Sequence, residues 1–477
     1  MLTLETGPDP SVFSQIDFTN GAVAAVSGGS DSTALLLLLK DHLDRTAPAT
    51  KLLAVTIDHG LRPGSAAEAQ AVARLCVGRG IAHRTLVWSR RKPSTGLPAA
   101  AREARYRLLA EAAQAEGIGL VLTGHTADDQ AETVLMRKAR EDGARQDGRG
   151  LAGMAPATLY DWRIWIARPL LGTRRAALRE VLQRANVGWV EDPTNEDEAF
   201  ERPRIRAALA DRNGTQRVED AVALAARAAV ALAARAAVER EQLGHRAAAL
   251  IRGFASRPTG GLIRLDPGFA TAGDDAAAVY ALRILLATVG GVAFLPDQVR
   301  SKALLDRLRA GPSGTTPFFA TPFCATLSRT VVDARRAGIF LRRETRNLPP
   351  AAPAVDNALW DGRWRITLDD EPGALLIAPL GAARAAKRPI ADDGTPPSLV
   401  RAALAAEPVL WRASELLGEC LGSAQDSPVL PGMAVCPVVA PFARFLPSFD
   451  LAPAGTVAAL IGAPLLPATP FSGHTAG

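Results

Sequence analysis

Cysteine is scarce in this chain: among 477 residues there are only Cys76, Cys324, Cys420 and Cys436. They stand far apart and form no Cys-x-x-Cys pair, which excludes a zinc ribbon and a thioredoxin-like redox motif. Few, separated cysteines are typical of a reducing cytoplasm. The sequence also lacks a basic segment followed by an apolar one near residue 1, and no apolar run reaches membrane-spanning length. We therefore expect a soluble, cytoplasmic protein without a signal peptide or a membrane segment.

Acidic residues are slightly outnumbered by basic ones. The chain has 55 Lys and Arg against 49 Asp and Glu, a net charge of +6 at pH 7, and most of the basic residues are arginine. Arginine binds phosphate through two parallel hydrogen bonds and stacks on bases, which favours a nucleic-acid partner. Alanine, glycine and proline are abundant as well, so the arginine excess is also explained by compositional drift. The charge alone leaves both interpretations open.

The length predicts several domains. A chain of 477 residues exceeds the size at which one hydrophobic core keeps growing, and 48% hydrophobic residues supply enough apolar surface for more than one core. We expect a first domain at residues 1–212, a helical domain at 213–346 whose last part is more strand-like, and a C-terminal domain of uncertain fold that contains β-structure at 357–477. Prolines at 349, 350 and 353 indicate a linker between the last two.

The first domain has the pattern of an α/β fold. Short apolar runs alternate with longer segments of helix formers, which is typical of βαβ units around a doubly wound parallel sheet. Strands are predicted at residues 21–26, 52–57, 84–88 and 119–122, and helices at 65–79, 98–115 and 127–140. In such a sheet, ligands bind beyond the carboxyl ends of the strands.

Three further segments carry structural predictions. An identical octapeptide at 223–230 and 231–238 lies in an alanine-rich run, which predicts one long helix. The charged, glycine-rich segment 141–153 is predicted to be a mobile loop beside the ligand edge of the sheet. Alternation at 360–368 predicts a strand in the C-terminal domain.

A glycine- and serine-rich loop follows the first predicted strand and leads directly into a leucine-rich helix; it reads Ser27, Gly28, Gly29, Ser30, Asp31 and Ser32. Glycines let the backbone approach an anion, the hydroxyls donate hydrogen bonds, and the helix begins with free N–H groups and a positive dipole end. These properties predict a phosphate-binding loop. The loop lacks the lysine of a Walker site and the spacing of a dinucleotide-binding motif. An ordinary strand-to-helix turn is the alternative.

Other polar motifs occupy the ends of the predicted strands or the helices between them. In chain order they are Asp58-His59-Gly60-Leu61-Arg62, Ala101-Arg102-Glu103-Ala104-Arg105-Tyr106, Gly124-His125-Thr126-Ala127-Asp128-Asp129-Gln130-Ala131-Glu132-Thr133, Gly150-Leu151-Ala152-Gly153-Met154, Arg168-Pro169-Leu170-Leu171 and Glu191-Asp192-Pro193-Thr194-Asn195. With the glycine-serine loop they resemble the tRNA(Ile)-lysidine synthetases, a family of PP-loop N-type ATP pyrophosphatases, over roughly the first 210 residues.

The resemblance implies an enzyme that uses ATP and Mg²⁺. In this family the first anticodon cytosine of a tRNA(Ile) with a CAU anticodon is adenylated on its ring oxygen, with release of pyrophosphate. Free L-lysine then displaces AMP and forms lysidine. Later domains of the family grip the tRNA, and a homodimer is compatible with the resemblance.

The resemblance also implies roles for individual residues. Ser27 to Ser32 would bind the nucleotide together with Asp58, His59 and His125. Asp31 would hold Mg²⁺, either alone or with Asp129, and Arg105 would stabilise the α-phosphate. Asp129 and Glu132 lie three residues apart, so both face the same side of a helix start. Either could accept the proton of lysine, and His125 could contact phosphate or act as an acid.

Each of these motifs also has a purely structural interpretation. Asp58 and His59 could end a strand, the arginines at 102 and 105 could form a solvated helix face, and His125 could be a structural histidine. The acids at 128 and 129 could cap their helix, with Glu132 completing a capping box. The agreement in order and spacing favours the functional interpretation.

The chain departs from the family pattern at two positions, and rival functions remain. Thr126 stands where a second histidine is common, and Pro203, between Arg202 and Arg204, stands where an asparagine is common. A tRNA thiolase is disfavoured because it would need cysteines at its site and the cysteines, Cys76 aside, stand away from the site motifs. An amidotransferase is disfavoured because no glutaminase motif is evident. A catalytically dead tRNA-binding protein would keep the fold without releasing AMP. The residues that read the cytosine are not identified by the sequence.

Overall fold

The computed structural model describes residues 10–61, 64–89, 92–141, 149–191, 216–310, 323–368, 375–390, 394–412, 415–419 and 433–471. The chain divides into two compact units. The first comprises Met1–Arg240 with Pro467–Gly477, and the second comprises Glu241–Leu466. Residues of the second and third predicted domains both contribute to the second unit, and the division into three domains stays a prediction.

The first unit is built on a mainly parallel sheet with helices between its strands. Its described elements are β1 (Ala22–Ala25), α1 (Ser30–Thr46), β2 (Leu52–Asp58), α2 (Ser65–Gly78), β3 (Ala82–Val87), α3 (Leu97–Ala115), β4 (Leu120–Thr123), α4 (Ala127–Glu141), β5 (Ala157–Tyr160), β6 (Ile164–Ala167), α5 (Arg175–Arg184) and the start of α6 (Gln216–Phe254). The predicted strands and helices of this unit are confirmed.

The strand order explains where a ligand can bind. These strands lie in the order β5-β6-β4-β1-β2-β3, and all neighbours are parallel except the antiparallel pair β5 and β6. The chain runs outward from β1 to β3 and then returns to place β4 on the other side of β1. A crevice forms at such a reversal, outside the carboxyl ends of the strands. The glycine-serine loop follows β1 and the His125 motif follows β4, so both lie at this crevice.

Apolar residues place helices on the sheet. The leucine-rich start of α1 buries Ala34, Leu35, Leu36 and Leu39 completely. On α3, Leu109 and Ala113 pack with Val23 and Val121 of the central strands and with Leu53 and Val55 of β2. Burial of this apolar surface fixes the sheet, and therefore the positions of the loops at its carboxyl edge.

The long helix predicted from the repeated octapeptide is confirmed as α6, which has 39 residues. Ala229 and Ala233, from the two copies, are buried against Ala131 and Val134 of α4. Small side chains let the two helix backbones approach each other closely. This contact supports α4, which carries the predicted site acids. The loop predicted at 141–153 lies largely outside the described residues, although its last part forms a 3-10 helix at Arg149–Ala152.

The second unit contains more β-structure than the sequence predicted. Its described elements are the end of α6, β7 (Ala255–Thr259), β8 (Leu262–Leu265), α7 (Asp275–Gly290), α8 (Gln298–Ala310), β9 (Phe323–Leu327), β10 (Thr330–Arg335), β11 (Gly338–Arg343), β12 (Ala352–Pro353), β13 (Leu359–Trp360), β14 (Trp364–Leu368), β15 (Leu375–Pro379), α9 (Ala382–Ala385), α10 (Pro397–Leu404), β16 (Pro408–Arg412), β17 (Glu415–Glu419), β18 (Met433–Pro437), β19 (Phe445–Pro447) and α11 (Leu451–Ile461).

Three sheets organise these strands: β7-β8-β11-β10-β9, β12-β15-β16-β17 and β13-β14-β18. The first is antiparallel throughout and lies within the segment 213–346. Its strands β9 to β11 lie in the last part of that segment, which was predicted to be more strand-like, whereas β7 and β8 fall in the part predicted to be helical. β-structure at the predicted segment 360–368 is confirmed, but it forms two antiparallel strands, β13 and β14, and not one. Pro353 was assigned to a linker, but it lies in the short strand β12 at the edge of the second sheet, where a missing N–H is tolerated.

In the part of the chain that the structure describes, no helix is both long enough and apolar enough to cross a membrane.

Candidate active site

The glycine-serine loop curls over the first turn of α1. The Ser27 amide donates to Ser32 Oγ over 3.1 Å, and Ser32 Oγ donates to the Gly29 carbonyl over 3.2 Å. Gly28 has a φ of 88°, which favours glycine. Gly29 occupies the N-cap of α1 and offers no side chain, so no side-chain cap engages the first amides of the helix. These amides are suited to binding an anion.

Gly124 allows the end of β4 to pack directly on this loop. A Cβ atom at position 124 would lie 2.8 Å from the Asp31 carbonyl oxygen and 3.0 Å from Ser32 Cα. Real Cβ atoms do not approach backbone this closely, so the packing requires glycine. Next in the chain, His125 lies with Nδ1 2.9 Å from Thr123 Oγ1. The glycine therefore brings the motif after β4 to the phosphate loop.

Asp31 and Asp129 share one arginine, Arg175. Arg175 Nε donates to Asp31 Oδ2 over 2.8 Å, and a terminal nitrogen of the same guanidinium donates to Asp129 Oδ1 over 3.0 Å. The three side chains are 18%, 14% and 23% exposed for Asp31, Asp129 and Arg175 respectively. The structure therefore brings together the two predicted metal ligands and adds a cation that the sequence analysis missed.

The electrostatics of this cluster follow from its burial. Burial raises the pKa of Asp31, an effect that the neighbouring charge of Arg175 opposes and the charge of Asp129 reinforces. Burial by itself lowers the pKa of Arg175, but the charges of Asp129, Asp31 and Glu132 outweigh it, so its pKa lies above the usual range. The guanidinium therefore stays charged. Glu132 is 3% exposed and belongs to the same electrostatic group.

The start of α4 is capped differently from the prediction. The Thr126 amide and hydroxyl both donate to Asp129 Oδ2 over 2.9 Å, and the Asp129 amide lies 3.4 Å from Thr126 Oγ1. Thr126 and Asp129 are therefore the two members of a capping box. Glu132 is not part of that box, which corrects the structural alternative. Threonine, where the family commonly has histidine, here fixes the carboxylate that holds Arg175.

Asp128 docks the start of α5 onto α4. Its two oxygens accept from the Arg175 amide over 2.8 Å and from Arg174 Nε over 3.3 Å. In addition, the Ala127 amide donates to the Thr173 carbonyl over 2.9 Å. The backbone of Arg175 is thus held independently of its guanidinium.

A second group of predicted residues gathers at the end of β2. Asp58 accepts from the Gly60 amide over 2.8 Å. Hydrogen bonds from Ser65 and Gly60 lower the pKa of Asp58. Burial lowers the pKa of His59, and the positive charge of Arg105 lowers it further. His59 is therefore neutral, and within the described residues its buried Nδ1 has no hydrogen-bond partner.

The same group includes aromatic and basic side chains. His59 contacts Trp88 edge to face, with ring centroids 6.3 Å apart, and Lys92 Nζ lies 5.9 Å from the Trp88 ring centroid. The Arg105 guanidinium lies 5.6 Å from the ring centroid of Tyr106 on α3. A polar ligand that reaches His59 would therefore meet positive charge beside it.

Asp31 and Asp129 fit a magnesium ion. Both carboxylates contact the same guanidinium, so they face one position at which a cation can neutralise them. Among the described residues there is no cluster of three or more histidine, cysteine or acidic side chains suited to a metal. Magnesium bound with a nucleotide typically takes only one or two carboxylates, with phosphate oxygens and water as the other ligands.

Several residues of the sequence motifs lie outside the described residues: Arg62, Asp192, Pro193, Thr194, Asn195, Arg202, Pro203 and Arg204.

Comparisons with known proteins identify the family of this chain. A family described as the PP-loop domain matches residues 12–213. The chain is 68% identical over 476 residues to the tRNA(Ile)-lysidine synthase of Mesorhizobium japonicum strain LMG 29417, covering 99% of this chain and 100% of the relative. It is 37% identical over 467 residues to the tRNA(Ile)-lysidine synthase of Rhizobium meliloti strain 1021, covering 94% and 93%.

Among solved structures, the U34-tRNA thiolase NcsA from Methanococcus maripaludis aligns with a TM-score of 0.38 and 17% identity, over 47% of this chain and 76% of that one. The two lysidine synthases match along nearly their whole length, and the glycine-serine loop and the motif after β4 meet at one crevice. The chain therefore belongs to the tRNA(Ile)-lysidine synthase family.

Proposed function

We propose that the first unit catalyses the two steps of lysidine formation at the crevice between β1 and β4. In the first step, the cytosine oxygen of the tRNA(Ile) CAU anticodon bonds to the α-phosphorus of ATP, and pyrophosphate leaves. In the second, the side-chain amine of free lysine bonds to the ring carbon that carries this oxygen, the carbon–oxygen bond breaks as AMP leaves, and the amine loses a proton. The observation that carries this proposal is the Asp31, Arg175 and Asp129 cluster beside an uncapped helix N-terminus.

The phosphate loop would bind the pyrophosphate end of ATP. The first backbone amides of α1 follow Gly29 and are not engaged by a side-chain cap. Hydroxyls are supplied beside them by Ser27, Ser30 and Ser32. Donors fixed before the substrate arrives need no reorganisation when charge develops, which is the main source of electrostatic catalysis. Bound in this way, the nucleotide presents its α-phosphate to the base.

Asp31 and Asp129 would hold the magnesium ion. When bound, the ion would neutralise charge on the phosphate oxygens as the bond to pyrophosphate breaks. Both oxygens of Asp129 already have fixed partners, Thr126 on one and Arg175 on the other. A carboxylate held this rigidly is better suited to ligate a metal than to accept a proton. This supports a role for Asp129 in binding the metal and a role for Glu132 in binding lysine.

Glu132 would orient the lysine amine and take up its proton. Bringing an amine of pKa about 10.4 to its neutral form at pH 7 costs about 4 to 5 kcal/mol. A buried carboxylate near the attacking nitrogen lowers that cost by accepting the proton as the bond forms. Glu132 is buried one helical turn after Asp129, on the same side of α4.

Arg105 and His59 would contact the activated end of the nucleotide or the base. Arg105 supplies the positive charge that lowers the pKa of His59, so the two groups are close enough to act on one ligand. His59 Nδ1 is a buried nitrogen without a partner among the described residues, and a ligand polar group would satisfy it. His125, at the end of β4, would add a contact to phosphate.

Sulfur transfer is a poorer explanation of the site. Cys76 is the cysteine closest in sequence to the site motifs, but it is completely buried in α2. Burial raises the pKa of its thiol to about 11, so it stays protonated at neutral pH. A protonated, buried thiol is a weak nucleophile.

The second unit would bind the body of the tRNA, with arginine contacts to backbone phosphate that weaken as salt rises. The cytoplasmic location and the homodimer also stay predictions.

The decisive experiment incubates the purified chain with ATP, lysine and tRNA(Ile) bearing CAU, followed by mass analysis of the nucleosides and measurement of AMP. A lysine adduct on cytosine, formed with AMP and pyrophosphate, is expected. Release of ADP and orthophosphate instead would contradict the proposal.

Variants separate the two steps. Asp31→Ala should abolish AMP formation, whereas Glu132→Gln should chiefly raise the lysine concentration needed for half-maximal rate. Glu111→Gln is the matched control, because Glu111 on α3 is 54% exposed and pairs only with Arg107 among the contacts described for it. An unchanged lysine requirement in Glu132→Gln would remove Glu132 from the lysine site.

A further inference from the structure

Arg175 is held from two sides at the first turn of α5. Its guanidinium bridges Asp31 on α1 and Asp129 on α4, while its backbone amide is bound by Asp128. The side chain is 23% exposed, so the two ion pairs are largely shielded from water. An arginine that only joins helices can pair with any acidic side chain. Both partners of Arg175, however, are the acids suited to binding Mg²⁺.

A guanidinium and a divalent cation would compete for these two carboxylates, because their positive charges repel each other. Arg175 uses Asp31 Oδ2 and Asp129 Oδ1, Asp129 Oδ2 is committed to the cap of α4, and Asp31 Oδ1 accepts only from Ser30 among the contacts described for it. A metal that bridges both aspartates would therefore share oxygens with Arg175 and weaken its ion pairs. The backbone of α5 can remain where it is during this exchange, because Asp128 and the Thr173 carbonyl hold it independently. Only the flexible side chain has to move.

We propose that Arg175 is the resident counter-ion of Asp31 and Asp129 before the nucleotide binds, and that on binding it transfers to the pyrophosphate oxygens. This inference rests on the proposed nucleotide site. Asp31 belongs to the phosphate loop, so a guanidinium released from it is already beside that loop. Arginine pairs with phosphate through parallel N–H···O bonds, and these bonds strengthen as negative charge gathers on the leaving pyrophosphate. Before the nucleotide binds, the guanidinium neutralises both aspartates. After the nucleotide binds, the same guanidinium neutralises charge on the leaving pyrophosphate.

Two binding measurements test the exchange without turnover. The first is the affinity of Mn²⁺ for the nucleotide-free protein, measured by electron paramagnetic resonance. The second is the affinity of pyrophosphate in the presence of Mg²⁺, measured by calorimetry. Arg175→Met removes the guanidinium, which in the proposal both competes with the metal for the aspartates and donates hydrogen bonds to pyrophosphate. Mn²⁺ affinity should therefore rise by about fivefold or more, while pyrophosphate affinity should fall by about tenfold, the size expected for a lost charge-assisted hydrogen bond.

Arg174→Met is the matched control. Arg174 precedes Arg175 at the start of α5 and pairs with Asp128, but its side chain is 44% exposed. Both affinities of this variant should stay within about twofold of the unmodified protein, as for other exposed ion pairs. A loss of both affinities in Arg175→Met would assign Arg175 a structural role and overturn the inference. Unchanged affinities would overturn it as well.

Arg175→Lys keeps the test informative if the methionine variant does not fold. A lysine ammonium is a single point charge and does not span two carboxylates as the guanidinium does. Changes in the same two opposite directions, but smaller, are expected, and changes in one common direction would overturn the exchange. If the unmodified protein bound no pyrophosphate at all, the proposed nucleotide site itself would fail, which is a different result from a failure of the Arg175 variants.

Discussion

The pKa of Tyr106 on α3 reflects the positive charge of the arginines around it. Its ring is 1% exposed, and the guanidinium groups of Arg102 and Arg105 lie 4.9 and 5.6 Å from the ring centroid. Burial raises the pKa of Tyr106, but the charges of Arg102, Arg168 and Arg105 outweigh burial and lower it to about 8. A cationic group of this strength is what a site for a nucleotide and an RNA base needs.

This pKa predicts a pH dependence of stability. Between pH 8 and 10 the folded protein has lost the Tyr106 proton, whereas the unfolded chain, with a pKa near 10.0, still holds it. The unfolded state then binds more protons, so the free energy of unfolding should rise with pH across this window. Urea unfolding of the unmodified protein and of Tyr106→Phe at both pH values measures the difference.

Absorbance near 295 nm tests the assignment directly. The chain has only three tyrosines, so the ionisation of one near pH 8 should be resolved from the others. Tyr106→Phe should remove that step and leave the rest of the titration unchanged. Persistence of the low-pH step in the phenylalanine variant would show that Tyr106 does not carry it.

At the residue scale the sequence predicted acids better than their partners. Asp31 and Asp129 were predicted because each lies in a motif next to a strand end. Arg175 was not, because its partner Asp31 is 144 residues away in the chain and nothing local distinguishes it from other helix arginines. The sequence signal that could have identified Arg175 is its position at the first turn of a helix that follows the motif Arg168-Pro169-Leu170-Leu171. The cap formed by Thr126 was also missed, because several neighbouring acids are equally suited to cap a helix.

At the scale of elements, the close approach of β4 to α1 positions the site, and Gly124 permits it. In Gly124→Ala, the new Cβ would press on the Asp31 carbonyl and on Ser32 Cα, which are backbone atoms and cannot turn away. Overpacking of this kind costs about 1 to 3 kcal/mol. It should also displace the phosphate loop and weaken ATP binding by roughly tenfold, since small misplacements are costly at such sites.

Gly119→Ala is the matched control for this substitution. Gly119 directly precedes the same strand, and a Cβ there would meet nothing within 4 Å. Calorimetric ATP binding and thermal unfolding should both stay near the values of the unmodified protein. Equal loss of ATP affinity in the two variants would mean that the approach at Gly124 is not what places the loop.

The elements of the first unit were predictable because local and global signals agree there. The buried strands β1 and β4 are short apolar runs preceded by glycine, and the helices between strands have clear ends. The second unit was harder. β7 contains Arg257 and Pro258 and has no alternation between buried and exposed positions, so its pairing with β8 depends on tertiary contacts. Sequence periodicity carries no information about such a strand.

At the scale of the whole molecule, the second unit has a buried charge network of its own. Asp361 and Arg343 are completely buried as side chains, and Asp361 accepts from Arg343 and Arg363 over 2.8 to 3.0 Å. Arg363 also donates to Glu407 over 2.6 Å. Burial raises the pKa of Glu407, and the charge of Arg363 opposes that shift. Each charge is tolerated in the core only because the others are present.

Glu407→Gln should therefore destabilise the second unit specifically. Removing one partner of a buried ion pair costs about 3 to 5 kcal/mol, because the remaining charge loses its compensation. The first unit has a separate core, so its nucleotide site should be unaffected. Scanning calorimetry should show one part of the unfolding profile moving to lower temperature, while ATP affinity changes by less than about twofold.

An exposed pair in the same unit provides the comparison. Arg346 lies 3.9 Å from Glu344 and is 83% exposed, so Arg346→Met should leave the unfolding profile almost unchanged, as expected for a solvent-screened pair. If Glu407→Gln also abolished ATP binding at temperatures where the protein remains folded, the nucleotide site would depend on the second unit. The two units would then have to be treated as one energetic body, and the second unit would influence nucleotide binding in the first. Retained ATP binding with weakened tRNA binding would instead support the proposed role of the second unit in binding tRNA.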